Sequence, residues 1–139
     1  MKVEGCAYCG DKHEFPYGKL VTELPMSDVY LFSEQSCPGR CIVACNKHVN
    51  DITDLTDDER NAFFADVVKV SRAIQEIFHP DKVNYGAYND NGTHLHVHVV
   101  PKYRGGFEWG TTFTMNAGLV GLADVDAEKM LADLREKLA

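Results

Sequence analysis

His94-Leu95-His96-Val97-His98-Val99-Val100-Pro101 alternates imidazole and aliphatic side chains over its first five positions and then turns apolar. Successive side chains of a strand point to opposite faces, so the three rings share one side while Leu95, Val97 and Val99 take the other. Half of the chain's six histidines thus face one surface. Imidazoles fill a core poorly, but near neutral pH they serve as nucleophile, proton donor or metal ligand. The three rings of a straight strand do not suit one ion. Positions i and i+4 stand about 13 Å apart, whereas nitrogens around one zinc lie within about 3.5 Å of each other. Two neighbours could share an ion; otherwise the rings divide the labour. A neutral imidazole can attack phosphorus without a general base if its other ring nitrogen is held as a donor, and the middle position suits that nucleophile.

The surrounding sequence frames this strand. Residues 83–88 also have strand character, and Asn89-Asp90-Asn91-Gly92 carries the Asn-Gly pair of a tight hairpin turn. Thr56-Asp57-Asp58-Glu59 is a capping box. Behind it Phe63, Phe64, Val67, Val70, Ile74, Ile77 and Phe78 recur at three and four residue steps until Pro80, which predicts a helix packed on a sheet. Short apolar runs at 19–24, 29–32 and 41–45, divided by Pro25, Pro38 and Gly39, predict a meander of strands. Met130, Leu131, Leu134 and Leu138 predict a terminal helix over 126–138, after a glycine-containing loop that follows Pro101. His79, before Pro80, reads as a helix end. Together these elements predict an α+β fold: an antiparallel sheet meander packed by one long central helix and a C-terminal helix.

A chain of 139 residues is the size of one domain, and 1–139 is expected to form one. Its formal net charge of −7 disfavours nucleic acid polymers and anionic membrane surfaces as partners. The first residues lack a secretory apolar region, no stretch approaches a bilayer span, and five cysteines fit a reducing compartment, so a cytoplasmic location is expected. Cys37, Cys41 and Cys45 read as small buried hydrophobes. Trp109 and Tyr103 follow the triad strand and are candidates either for the rim of a leaving-group pocket or for packing. Cys6-Ala7-Tyr8-Cys9, within an irregular segment over 1–18, has the spacing of half a zinc site, and His13 lies close enough in sequence to complete a local cluster.

The octapeptide resembles the signature of the histidine triad (HIT) family, His-x-His-x-His followed by two apolar residues and proline. Pro38-Gly39-Arg40-Cys41-Ile42-Val43 and Lys47-His48-Val49 resemble the family's upstream strand and its lysine-x-histidine element, so that the likeness covers about 29–103. It implies a compact α+β homodimer acting on nucleoside phosphates. By that resemblance His96 attacks the α-phosphorus to form a nucleotidyl-histidine, His98 contacts the phosphate and supports the leaving group, and Asn89 and Asn91 touch phosphate or leaving group. It also implies a structural zinc held by Cys6, Cys9, His48 and His94, and no redox cofactor. Two positions depart from the family pattern. Arg40 stands where many relatives have histidine, either to bind phosphate or to face solvent, and Phe32 occupies a position often given to ribose contact.

These observations predict a nucleotide hydrolase or nucleotidyl transferase acting on nucleoside phosphoramidates or dinucleoside polyphosphates. Two other classes compete. One is a metal-dependent enzyme with a His-x-His metal site; the other is a non-catalytic nucleotide-binding module.

Overall fold

The computed structural model describes residues 2–139. Strands β1 (Gly18–Leu24), β2 (Ser27–Phe32) and β3 (Cys41–Cys45) form the expected antiparallel meander. Helix α1 (Asp57–Phe78) then leads to β4 (Lys82–Gly86), and β5 (His96–Lys102) inserts between β3 and β4, giving the order β1-β2-β3-β5-β4. All neighbours are antiparallel, which makes β3 and β4 parallel to each other. Such a connection needs a long crossover, and α1 supplies it. Helix α2 (Ala127–Leu138) closes the chain.

The ends of α1 follow from its local sequence. Thr56 Oγ1 accepts from the Glu59 N–H, and the Glu59 carboxylate accepts from the Thr56 N–H at 2.9 Å, so both halves of the capping box form. At the other end His79 takes a left-handed conformation (φ 51°) immediately before Pro80. Phe63, Val67, Val70 and Ile74 are buried against one face of the sheet together with Leu131, Leu134 and Leu138 of α2. Phe64, which the periodicity assigns to the same stripe, is exposed instead. Buried Asp66 fixes the helix laterally, accepting from the Met26 N–H at 2.9 Å and the Ser27 hydroxyl at 2.7 Å.

The sheet's other face carries Tyr30, Phe32, Ile42 and Ala44, packed by Phe15 and partly by Tyr8. Strand register places His96 beside Ala44 and His98 beside Ile42, on this face, while Val97 and Val99 join the core under the helices. The alternation expected for the triad strand is thereby observed.

Two local expectations change. His94 precedes β5, and the link from Gly86 to His96 is a nine-residue loop, not a tight Asn-Gly hairpin. Within it Asn89 takes the positive φ of 61°. Adjacent backbone pairing overrides the turn preference of the sequence: the Leu95 N–H bonds the Val49 carbonyl and its carbonyl accepts from Cys45, anchoring the chain before the strand begins. The strand also continues through Pro101 to Lys102, beyond its pairing with β3, where a missing N–H breaks no ladder on that side.

Candidate active site and metal cluster

The three triad imidazoles end in three different surroundings, each set by what holds one ring nitrogen. His94 is buried, and its Nε2 lies 2.6 Å from the Cys45 carbonyl. A carbonyl only accepts, so Nε2 carries the proton and Nδ1 presents a lone pair. That lone pair points to a cluster: His94 Nδ1 is 3.5 Å from both Cys6 Sγ and Cys9 Sγ and 3.1 Å from His48 Nδ1, which is 3.3 Å from Cys9 Sγ. All four atoms lie within 4.8 Å of one another. Four nitrogen and sulfur ligands around a tetrahedral zinc would stand about 3.3–3.8 Å apart, given metal–ligand bonds of about 2.0–2.3 Å. The cluster has that size and a donor set able to hold such an ion. His13 lies in a short 3-10 turn, Lys12–Glu14, and does not belong to the group.

His96 is turned the other way. Its Nδ1 is 2.7 Å from the His94 carbonyl and donates to it, leaving the Nε2 lone pair free. The ring lines a cavity of about 590 Å³ together with His98, Phe32 and Asn91. Tyr8, between the two cluster cysteines, stacks on this ring with centroids 4.6 Å apart and on His94 at 5.3 Å. His96 is not part of the four-residue cluster, to which the triad contributes His94. Burial pushes both His94 and His96 below the ordinary imidazole range, opposed in each by the bond to a backbone carbonyl.

His98 lies 5.2 Å from His96, centroid to centroid, with its ring edge-on to Phe32. Its Nδ1 is 3.1 Å from Nη2 of Arg40. Burial, then the Arg40 charge, then His96 push its pKa down to about 3. Arg40 neither faces solvent nor lines the cavity: it is 1 % exposed. The left-handed turn at Gly39 (φ 98°) delivers it there, and a Cβ at that glycine would stand 2.8 Å from the Phe78 ring. The guanidinium packs on Phe32 and Phe113, and its Nη1 donates to the Glu34 carboxylate at 3.4 Å and the Thr114 carbonyl at 3.3 Å.

The two asparagines separate. Asn91 is exposed on the cavity wall, whereas the Asn89 side chain accepts from the His96 backbone N–H at 3.4 Å. Trp109 and Tyr103 do not border this cavity; Trp109 stacks with Arg104, and the Tyr103 hydroxyl donates to the Phe78 carbonyl.

His96 and His98 share one face of β5, as the alternation of the octapeptide predicted, while His94 precedes the strand. The family model of the HIT domain matches residues 17–105. The chain belongs to the HIT family.

Among curated relatives, "Protein hit" of Bacillus subtilis is 26 % identical over 131 residues, covering 83 % of each chain. An asymmetrical bis(5'-nucleosyl)-tetraphosphatase of Schizosaccharomyces pombe is 29 % identical over 68 % of this chain and 55 % of its own length. An AP-4-A phosphorylase of Mycobacterium tuberculosis is 35 % identical over 49 % of this chain and 38 % of its own. The match therefore spans about half or less of these two enzymes. The solved histidine triad protein blr8122 of Bradyrhizobium japonicum has the same fold, with a TM-score of 0.83 at 21 % identity over 94 % of this chain and 97 % of that one. A Zn-bound HIT family protein of Mycobacterium smegmatis superposes with a TM-score of 0.70 at 21 % identity, covering 96 % and 93 % of the two chains.

Sequence reasoning overlooked Tyr8 and Glu34. Tyr8 carried a signal, an aromatic between two candidate ligands. Glu34 carried none, because its partnership with Arg40 exists only after the turn over 33–40 folds.

Proposed function

We propose that the protein is a nucleotide hydrolase or nucleotidyl transferase that attacks the α-phosphate of nucleoside phosphoramidates or dinucleoside polyphosphates through a covalent nucleotidyl-His96. One observation carries this reading: the His96 Nδ1–H is held by the His94 carbonyl, which leaves the Nε2 lone pair unprotonated beside the cavity. Such an imidazole needs no general base. Its lone pair bonds to phosphorus as the bond to the leaving group breaks. Water, or a phosphate oxygen, then displaces His96 and returns the electron pair to Nε2.

His98 faces the same space and supports the phosphate and the departing group, with Asn91 on the wall and Asn89 holding the His96 backbone. The relatives named as a tetraphosphatase and a phosphorylase support phosphoanhydride chemistry. Cys6, Cys9, His48 and His94 would hold zinc as a closed structural set, supported by their spacing and by the Zn-bound relative. With no open position the ion would supply cross-linking and take no part in the reaction.

The protein would act as a single cytoplasmic domain in a homodimer. Among the described residues no helix is long and apolar enough to cross a membrane. The sheet ends in β4, whose edge and exposed Tyr85 are available for pairing.

The test is mass spectrometry of protein mixed with adenosine phosphoramidate or diadenosine tetraphosphate and denatured rapidly at alkaline pH. The expected result is one adenylyl group on His96. His96→Ala should fold, bind zinc and lose turnover by at least about a thousandfold. Undiminished turnover in that variant would end the proposal.

A further inference from the structure

Arg40 does not itself line the cavity, but it packs behind three residues that do, Phe32, His98 and Met115, its Nη2 lying 3.3 Å from the Met115 sulfur, and it fixes the chemistry of the His98 ring. Guanidinium nitrogens only donate, so the Nη2 that lies 3.1 Å from His98 Nδ1 makes Nδ1 an acceptor and places the imidazole proton on Nε2. Among the described residues Nε2 has no hydrogen-bond partner, and it is not one of the enclosed unpartnered atoms, so it opens onto the cavity that His98 lines. The guanidinium cannot readily move away. It lies between Phe32 and Phe113, with centroids 4.5 and 4.9 Å from its carbon, and is tied to Glu34 and the Thr114 carbonyl.

We infer that Arg40 is a positioning residue that holds His98 as a neutral Nε2–H donor and denies it the role of general acid, so that the enzyme prefers phosphoanhydride over phosphoramidate substrates. This rests on the reading of His96 as nucleophile.

The selectivity follows from atom balance. When His96 Nε2 bonds to the α-phosphorus of a dinucleoside polyphosphate, the P–O bond breaks and its electron pair stays on the bridging oxygen. That oxygen leaves as a stable phosphate anion, needing only a hydrogen bond from His98. When a phosphoramidate reacts, the P–N bond breaks, and the nitrogen must gain a proton to leave as an amine. His98 could give its one proton only by becoming an imidazolate anion. It could act as an acid only if first protonated at Nδ1, where Arg40 already donates.

The surroundings oppose that protonation too. Across the strands His98 neighbours Gly86 and Ile42, Phe32 and Phe113 pack on it, and the charged or titratable groups facing it are Arg40 and His96. Glu34 lies beyond Arg40, on its other terminal nitrogen. Burial and the Arg40 charge both push His98 well below the ordinary imidazole range.

General acid catalysis contributes about 10²–10⁴-fold in rate. The expected result is therefore a kcat/KM for diadenosine tetraphosphate at least about a hundredfold above that for adenosine phosphoramidate at pH 7. In Arg40→Met combined with Glu34→Gln, which strands no buried carboxylate, the ratio should narrow at least tenfold. Phosphoramidate turnover should then gain an acid limb. In a His98→Ala background the same pair of changes should leave the ratio unmoved.

A wild-type preference for the phosphoramidate, or an unchanged ratio in the folded double variant, overturns the inference. Where that variant does not fold, ring nitrogen NMR of the wild type decides: the Nε2–H tautomer, unprotonated down to pH 5, supports it. An Nδ1–H tautomer or ordinary titration overturns it. Failure of the reading of function looks different: no adduct on His96 and no turnover of either substrate, whatever the His98 tautomer.

Discussion

Three chemically identical side chains become three different groups because each is held by a different partner. Backbone carbonyls hold Nε2 of His94 and Nδ1 of His96, while Arg40 donates to Nδ1 of His98. What each ring leaves unheld is correspondingly a lone pair at the Cys/His cluster, a lone pair beside the cavity and a hydrogen-bond donor. The cost of His98's burial gives a stability prediction. Its folded pKa is about 3, against an ordinary value of 6.5. Above pH 6.5 both folded and unfolded chains hold it neutral, and the fold loses nothing. As pH falls below that value the unfolded chain gains a proton that the folded chain refuses, so stability is lost towards pH 3 at about 1.4 kcal/mol per pH unit. Urea unfolding between about pH 6 and pH 5, with metal content matched, should show a slope shallower by about that amount in His98→Gln. An equal slope would mean that His98 titrates alike in both states. The alternation of the octapeptide revealed that the rings share a face. It did not reveal which nitrogen each ring exposes, since Cys45 and Arg40 reach them from a neighbouring strand and the turn before it.

Elements whose signals are local were legible in the sequence. Helix α1 starts at its capping box and stops before Pro80 because both devices act within one turn of the chain. Where tertiary pairing competes with a local preference, the preference loses: the Asn-Gly pair yields to a loop that forms part of the cavity wall. Likewise Phe64 shares the spacing of the buried stripe but falls outside the contact between helix and sheet. Asp66 gave no signal at all, as its partners are distant in the chain, Met26 in the turn after β1 and Ser27 at the start of β2. It nevertheless joins α1 to the sheet. Asp66→Ala leaves a backbone N–H and a hydroxyl without their acceptor, and a loss of about 1–3 kcal/mol is expected in chemical denaturation. Asp66→Asn, which keeps one acceptor oxygen, should lose less. Equal losses in the two variants would assign the cost to packing.

At the scale of the whole molecule, the N-terminal segment is tied to the sheet by ion pairs of Lys12 with Glu23 and Asp28 and by contacts nearer the cluster. Phe15 packs on Tyr30, Tyr8 stacks on His94 and His96, and Cys6 and Cys9 close on His48 and His94. A zinc ion in that cluster would join residues far apart in the chain and keep Tyr8 against the nucleophile. A ligand that binds only the folded state stabilises it by about 4 kcal/mol when present at a thousand times its dissociation constant. For a chain of this size each kcal/mol is worth roughly 3 °C in Tm. Chelation should therefore lower Tm by about 10 °C, and added zinc should restore it. The Cys9→Ser variant should start low and respond little to either treatment, whereas His13→Ala should behave as wild type because His13 lies outside the group. Loss of the ion should also slow nucleotidyl transfer to His96 without abolishing it, since the nucleophile's proton is held by the His94 backbone carbonyl and not by the cluster. A wild-type Tm indifferent to chelation at matched protein concentration, or a Cys9→Ser protein still stabilised by zinc, would remove the metal from this account while leaving the His96 chemistry to stand or fall on its own test.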